Sequence, residues 1–349
     1  MIFKKKVKKE YIIPIFVPNL GCPNDCTFCN QKKISGKSTD VTAKDVRKTI
    51  DFYLKNFKDD KKYVEVAFFG GSFTGIDLEV QNELLEAANE YIKAGKVGSI
   101  RISTRPDYID KKTLRRLKKY HVKTIELGVQ SSNNEVLEAS KRNHTFEDVV
   151  KASKLIRRKR IILGHQMMVG MPESTVKDEI KTAEDLIKLK PKMVRIYPVL
   201  VIKGTELARQ YSKGEYKPLT IEQAVERSKE IYYLFKRNNI EVIRIGLQPS
   251  GEIMEPGKNG SSVLAGPFHP AFRQLVESSM WYDTIEERIK EINNKTKKIQ
   301  IKVNPDDVNN VIGNKKENIL KLKKNYEIDT IIKSDEEIAQ GEFEIEEIE

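Results

Sequence analysis

Cys22, Cys26 and Cys29 are the only cysteines in 349 residues, and they fall within the eight positions CPNDCTFC. An odd, clustered set does not make a disulfide framework, which wants even numbers spread along a small secreted chain. Thiolates at this spacing are metal ligands, and two metal groups suit them. A structural zinc takes four ligands, commonly two cysteine pairs or added histidines. His121, His144, His165 and His269 are all remote in sequence, so a zinc site needs the fold to bring its fourth ligand. A 4Fe–4S cluster also takes four ligands. Three cysteines then leave one iron open to another group, which is the more economical arrangement. Buried, unligated cysteines do not account for the clustering.

Such a loop needs a rigid frame. Short β-branched runs alternate with longer segments of helical period, the pattern of repeated βα units around a parallel sheet. Six strands are predicted: Tyr11 to Val17, Val64 to Phe69, Ser99 to Ser103, Thr124 to Val129, Ile161 to Val169 and Met193 to Val199. Helices are expected over Thr42 to Phe57, where Thr42 and Asp45 fit a capping pattern, over Leu78 to Lys93 and over Ile221 to Asn238. VIRIGLQP then reads as a seventh strand. Polar, glycine- or proline-bearing loops follow the strands: GCPNDC, GGSFTG, TRPD, QSS, GMPE and IKGT. In a βα barrel these loops share one rim, where such folds place their chemistry. The fold class is therefore α/β, a partial (βα)6 TIM-like barrel with a lateral opening. Beyond residue 290 the texture changes to strand, turn, helix, strand, a small α+β extension that must dock on the main body. The domain reading is a basic arm over 1–10, the barrel and its extension over 11–290, a small module over 291–334 and an acidic, disordered tail over 335–349.

Composition narrows the function class. Hydrophobic content of 39% with 33% charged residues is that of a water-soluble globular chain. No apolar run approaches the ~18 residues of a membrane span, and no cleavable leader is evident, so the expected location is cytoplasmic with no membrane partner. The formal charge is +12, but Asp335 to Glu349 holds eight acids and no Lys or Arg, so the remainder carries +20. Such a field favours phosphate-rich partners, although a lysine-rich solvated surface explains the same composition.

CPNDCTFC is C-x3-C-x2-C with Phe28 directly before the third cysteine, and this resembles the signature of the radical S-adenosylmethionine (SAM) enzymes. The resemblance implies a 4Fe–4S cluster on Cys22, Cys26 and Cys29, its open iron chelated by SAM. It also implies reductive cleavage of SAM to a 5′-deoxyadenosyl radical, with electrons from a low-potential donor such as flavodoxin or ferredoxin. Gly70 and Gly71 in FFGGSFTG match the glycine-rich element that contacts the SAM amino group, and double glycine also suits a turn. Ser103 and Arg105 in STRPD are further cofactor candidates, Arg105 for pairing with a carboxylate, though a structural ion pair is the alternative. IELGVQS and KRNHT resemble the oxygen-independent coproporphyrinogen oxidases. That likeness assigns Gln130 to the ribose hydroxyls and Arg142 to the SAM carboxylate; Phe28, within the signature, is expected to shape the adenine site, a packing role being the alternative. Where those relatives often carry an aspartate on the fifth strand, this chain offers Gln166 or His165.

LGCPNDCTFCNQ, RIYPVLVIKGTEL, IRIGLQP and AGPFHPAFRQLVES are together similar to the Elongator-catalytic-subunit branch, which modifies the wobble uridine of tRNA with acetyl-CoA. The compact cysteine spacing departs from that branch, and no acetyltransferase-length segment follows. VIGNKKENI resembles the core of a KH domain, whose turn clamps single-stranded nucleic acid; Lys316 replaces its second glycine. Lys32, Lys33, Lys315 and Lys316 are accordingly candidate RNA contacts, tRNA or another RNA being the expected partner. Basic clusters over Arg115 to Lys123 and Arg157 to Arg160 fit the same partner, and cations at helix C-termini are also expected from the macrodipole. The reading that competes within enzymes is a small-metabolite radical oxidase or dehydrogenase. The reading outside enzymes is an RNA-binding protein with a structural metal.

Overall fold

The computed structural model describes residues 10–17, 26–30, 41–57, 63–249, 251–292 and 296–348. Cys22, Lys32, Lys33 and residues 1–9 of the basic arm lie outside them. Strands β1 (Glu10–Val17), β2 (Tyr63–Gly70), β3 (Ser99–Thr104), β4 (Val122–Gln130), β5 (Ile162–Val169) and β6 (Met193–Pro198) pair in parallel in that order. The two-residue β7 (Val201–Ile202) leaves the sheet, and β8 (Glu241–Ile245) joins it as a seventh strand beside β6. β7 instead pairs antiparallel with β9 (Val263–Ala265). The sheet is a curled half-barrel with β1 and β8 as open edges, as the six-unit reading anticipates.

The helices are α1 (Ala43–Asn56), α2 (Leu78–Lys93), α3 (Lys111–Lys119), α4 (Asn134–Ala139), α5 (Phe146–Arg158), α6 (Val176–Lys188), α7 (Glu206–Ser212), α8 (Ile221–Arg237) and α9 (Phe272–Ile289). Ile13, Val66, Phe68, Ile102, Leu127 and Ile196 face them in one buried core with Leu84, Leu114, Ile156, Leu186 and Phe235. Helices α1, α5, α6 and α8 start on capping boxes: Thr42 with Asp45, Thr145 with Asp148, Thr175 with Asp178, and Thr220 with Gln223. Each box satisfies two orphan N–H groups, worth about 1 kcal/mol against an alanine cap. Because helix starts sit at the carboxyl ends of the strands, these boxes hold the loops of the functional rim. No helix among the described residues is long and apolar enough to cross a membrane.

The inner face of the sheet is polar where the outer is greasy. Arg101 Nε donates to Glu65 at 2.5 Å and its Nη1 to Glu126 at 2.9 Å; Arg195 holds Glu126 through both Nε and Nη2. Ser99 and Thr124 donate to the same Glu65 oxygen, each at 3.0 Å. Burial opposes the charge on Glu126, yet Arg195 and Arg101 outweigh it and hold the carboxyl below its usual range. The network ties β2, β3, β4 and β6 together across the inner face of the sheet.

The C-terminal module comprises β10 (Lys298–Val303), α10 (Val308–Ile312), α11 (Glu317–Tyr326), β11 (Asp329–Ser334) and β12 (Phe343–Glu347), with strand order β11-β10-β12. Its core of Ile299, Ile301, Val303, Val311, Leu322 and Ile328 includes Ile285 and Ile289 of α9. The module therefore begins packing inside α9, ahead of residue 291. The expectation of a disordered acidic tail needs correction, because Phe343 pairs with Val303 and Ile345 with Ile301 in antiparallel register. Alternation explains it: Phe343 and Ile345 pack on the module core, while Glu346 meets Lys302 and accepts from Gln300 at 3.1 Å. Net charge alone is a poor guide to disorder when every second residue is apolar.

Candidate functional site

Cys26 is buried in a tight turn: the Cys29 N–H donates to the Cys26 carbonyl at 2.9 Å. The turn is pinned from both sides, by the Thr27 N–H on the Ser140 carbonyl at 3.1 Å and by the Leu207 N–H on the Thr27 carbonyl at 2.7 Å. Phe28 packs with Cys26, Val136, Met171, Val199, Val201 and Leu207, an apolar wall drawn from several rim loops. Asn30 continues the anchoring, its Nδ2 donating to the Lys203 carbonyl at 3.2 Å.

Arg142 reaches the cysteine from the turn after α4. Its Nη1 lies 3.3 Å from Cys26 Sγ and its Nη2 donates to the Gly128 carbonyl at 2.7 Å. The buried Nε has no partner among the described residues. Gly128 lies close under both side chains: a β-carbon there would stand 3.1 Å from Gln130 Nε2 and 3.3 Å from Arg142 Nη2, so both would have to shift. Two residues on, a register shift against β5 ends β4, and Gln130 adopts φ +74°. A non-glycine residue in that region is strained, and such strain gathers at functional sites. Gln166 Nε2 donates to Gln130 Oε1 at 3.3 Å. His165 faces the other way, 2.9 Å from Ser153 Oγ on α5, and burial pushes its pKa down to about 3. Of the two alternatives on the fifth strand, Gln166 is the one beside Gln130.

Gly70 and Gly71 end β2 against Val17. Gly70 has φ +116°, and a β-carbon there would lie 2.4 Å from the Val17 carbonyl oxygen. The Gly71 N–H bonds that same oxygen at 3.3 Å. Sequence reasoning missed the hydroxyl cluster beside them, Ser72, Thr74 and Thr104, joined at 2.8 and 2.5 Å. The signal was the Ser and Thr inside GGSFTG and STRPD. Ser72 Oγ also accepts from the Arg105 N–H at 3.2 Å, coupling the second and third loops. Ser103 is half-buried on β3 beside Glu126 in register.

Arg105 makes a two-point contact with Asp107, 3.0 Å at each nitrogen, and its Nη2 donates to the Asn143 carbonyl at 3.0 Å. It therefore braces the turn that carries Arg142. His144 in that turn is buried with Nε2 3.3 Å from the Val129 carbonyl. Burial first, then the charges of Arg142 and Arg105, push its pKa down to about 3, so it is neutral and donates through Nε2. Lys315 and Lys316 stand apart in the module turn after Gly313, with φ of +51° and +64°. Sequence reasoning also missed the network of Glu65, Arg101, Glu126 and Arg195, legible only as charges at inward positions of strands.

The residues brought together fit the groups that the sequence implied. Two of the three signature thiols, the buried Cys26 and the half-buried Cys29, share one turn, and the buried Arg142 guanidinium has an Nε without a partner among the described residues. Residues 16–186 match the radical SAM superfamily and residues 191–282 its C-terminal domain. The chain belongs to the radical SAM superfamily, an enzyme class built on this partial barrel. Several of its relatives are tRNA uridine(34) acetyltransferases. The tRNA uridine(34) acetyltransferase of Methanocaldococcus jannaschii is 35% identical over 183 residues, covering 47% of this chain and 34% of that protein. An uncharacterized protein of the same organism is 33% identical over 236 residues, covering 64% of this chain and 71% of its own length. The structure of Elp3 from Methanocaldococcus infernus, lacking its N-terminus, superposes with a TM-score of 0.59 at 24% identity over 81% of this chain and 64% of that one. This chain thus spans about a third of the acetyltransferase relative.

Proposed function

We propose that this chain holds a 4Fe–4S cluster on Cys22, Cys26 and Cys29, binds SAM at its open iron and modifies RNA, with tRNA as the substrate. The contact of Arg142 with Cys26 carries this reading, because it sets a permanent positive charge and an unused buried N–H beside a cysteine of the signature. A cluster held by these cysteines would supply the electron for reductive cleavage of SAM.

The protein's own residues bind and orient. Arg142, with Nη1 and Nη2 already engaged, presents Nε to a carboxylate. Gln130 and Gln166 supply amide groups for hydroxyls, while Gly70 and Gly71 allow close backbone approach. Ser103, one residue before the end of β3, is a further proposed cofactor contact, and Arg105 acts through Asn143 by fixing the Arg142 turn. Phe28 and the wall of Val136, Met171 and Val199 keep water from a reactive centre. The electron comes from a low-potential donor of the flavodoxin or ferredoxin kind.

A tRNA substrate is supported by the names of the relatives and by the +20 charge of residues 1–334. Lys32 and Lys33 beside the signature and Lys315 and Lys316 in the module turn are its proposed phosphate contacts. Acetyl transfer is not carried over, since the match spans only a third of those relatives. The test is anaerobic reconstitution, iron and sulfide analysis, and 5′-deoxyadenosine formation from SAM under dithionite, with and without bulk tRNA. About four irons per chain and tRNA-stimulated product support the reading. One zinc, or an intact cluster that never cleaves SAM, overturns it.

A further inference from the structure

The face of the barrel opposite the Cys26–Arg142 rim carries a belt of cations without acidic partners. Lys118 and Lys119 close α3, Lys123 opens β4, Arg157 and Arg158 close α5, and Arg160 sits in the turn into β5; all six are exposed. β4 and β5 are neighbours, so the two turns adjoin, and Lys118 Nζ bridges them by donating to the Lys159 carbonyl at 3.3 Å. Arg157 reaches the Leu189 carbonyl at 3.5 Å, which continues the belt to the turn bearing Lys190 and Lys192. Among the described residues none of the six forms an ion pair. Of the acids on the flanking helices, Glu86 is paired with Lys93 and Asp185 with Lys188, while Glu241 stands at the Lys192 end of the belt.

Helix dipoles draw cations to last turns, which covers Lys118, Lys119, Arg157 and Arg158. They extend to Arg160, which follows the C-cap Lys159 at φ +55°, but do not explain Lys123, which is on a strand and donates to the Gly98 carbonyl at 3.2 Å. A protein partner or a lipid surface calls for an apolar centre. Among the described residues of these turns Ile162 is the one large exposed hydrophobic. Dense charge around a single exposed isoleucine suits a phosphate backbone.

We infer that this belt binds RNA phosphates at a point remote from the reacting nucleotide. The inference rests on the RNA-substrate reading and adds a second footprint to it. Along β4, Lys123 and Gln130 are seven residues apart, about 23 Å at ~3.3 Å per residue, so a folded RNA that wraps the barrel side touches both faces.

The test measures bulk tRNA binding to the full chain by fluorescence anisotropy across a salt series. The wild type is compared with a variant combining Lys118→Gln, Arg157→Gln, Arg158→Gln and Arg160→Gln, and with its all-Glu counterpart. Anionic vesicles of phosphatidylcholine and phosphatidylserine are the second probe. The expected result is at least about tenfold weaker tRNA binding and a log K against log salt slope shallower by about 3, the all-Glu variant being weaker still. RNA-independent 5′-deoxyadenosine formation should not change. Unaltered tRNA affinity and slope in the variants overturn the belt and leave the RNA substrate standing. Vesicle binding that exceeds tRNA binding also overturns it, and a wild type that does not bind tRNA at all overturns both readings.

Discussion

The Arg142 guanidinium bridges the cysteine turn and strand β4, with Nη1 3.3 Å from Cys26 Sγ and Nη2 2.7 Å from the Gly128 carbonyl. Replacing it with alanine removes both contacts and leaves the carbonyl unpaired. Arg142→Ala should still accept iron and sulfide but bind SAM about 10- to 100-fold more weakly, from ~1.5–3 kcal/mol for a hydrogen bond to a charged group. Arg142→Lys keeps the charge and loses the fork, so it should recover only part of the affinity. The readout is the SAM-induced change in the electron paramagnetic resonance signal of the reduced cluster. Full retention in the alanine variant would count against the assigned role.

Gly70 packs its backbone against Val17 at the end of β2. Gly70→Ala places a β-carbon 2.4 Å from the Val17 carbonyl oxygen at φ +116°, which costs about 1–3 kcal/mol in strain. Denaturant midpoints should drop accordingly. Gly251→Ala, with open space around the added carbon, should stay within about 0.5 kcal/mol of the parent.

His165 is neutral in the core with its pKa near 3, far below the ordinary 6.5. The unfolded chain binds that proton first as pH falls, so native stability is complete above pH 6.5 and declines as pH drops toward 3. The slope from this group is about 1.4 kcal/mol per pH unit once below 6.5. His165→Gln should flatten the stability profile between pH 6 and 5 by one proton's worth, whatever it does to absolute stability. A slope equal to that of the parent would place the titration elsewhere.

Phe343 sets its ring 5.9 Å from Trp281 on α9 and pairs with Val303. Phe343→Ala should destabilise the module by about 1–2 kcal/mol, less than the ~3–5 of a fully buried phenylalanine. Hydrogen exchange of β10 amides reports it. Unchanged protection would mean that β12 adds nothing to the module.

The sequence by itself determined the chemistry class and the frame. Three thiols at one spacing, glycines at strand ends and the alternation of two periodicities are local signals, readable because the physical cause of each sits within a few residues. The capping pair Thr42 and Asp45 was legible for the same reason. Only the tertiary structure decided which side chains meet. Arg142 reaches Cys26 across 116 positions, Arg105 braces that turn instead of standing open, and Gln166 faces Gln130 while His165 turns to α5. Strand neighbours and register make these choices, since a one-residue slip exchanges the faces of a strand. The same holds for Glu126, stable as an anion only because two arginines from other strands converge on it, and for the acidic terminus, whose order depends on the β10 edge waiting beside it.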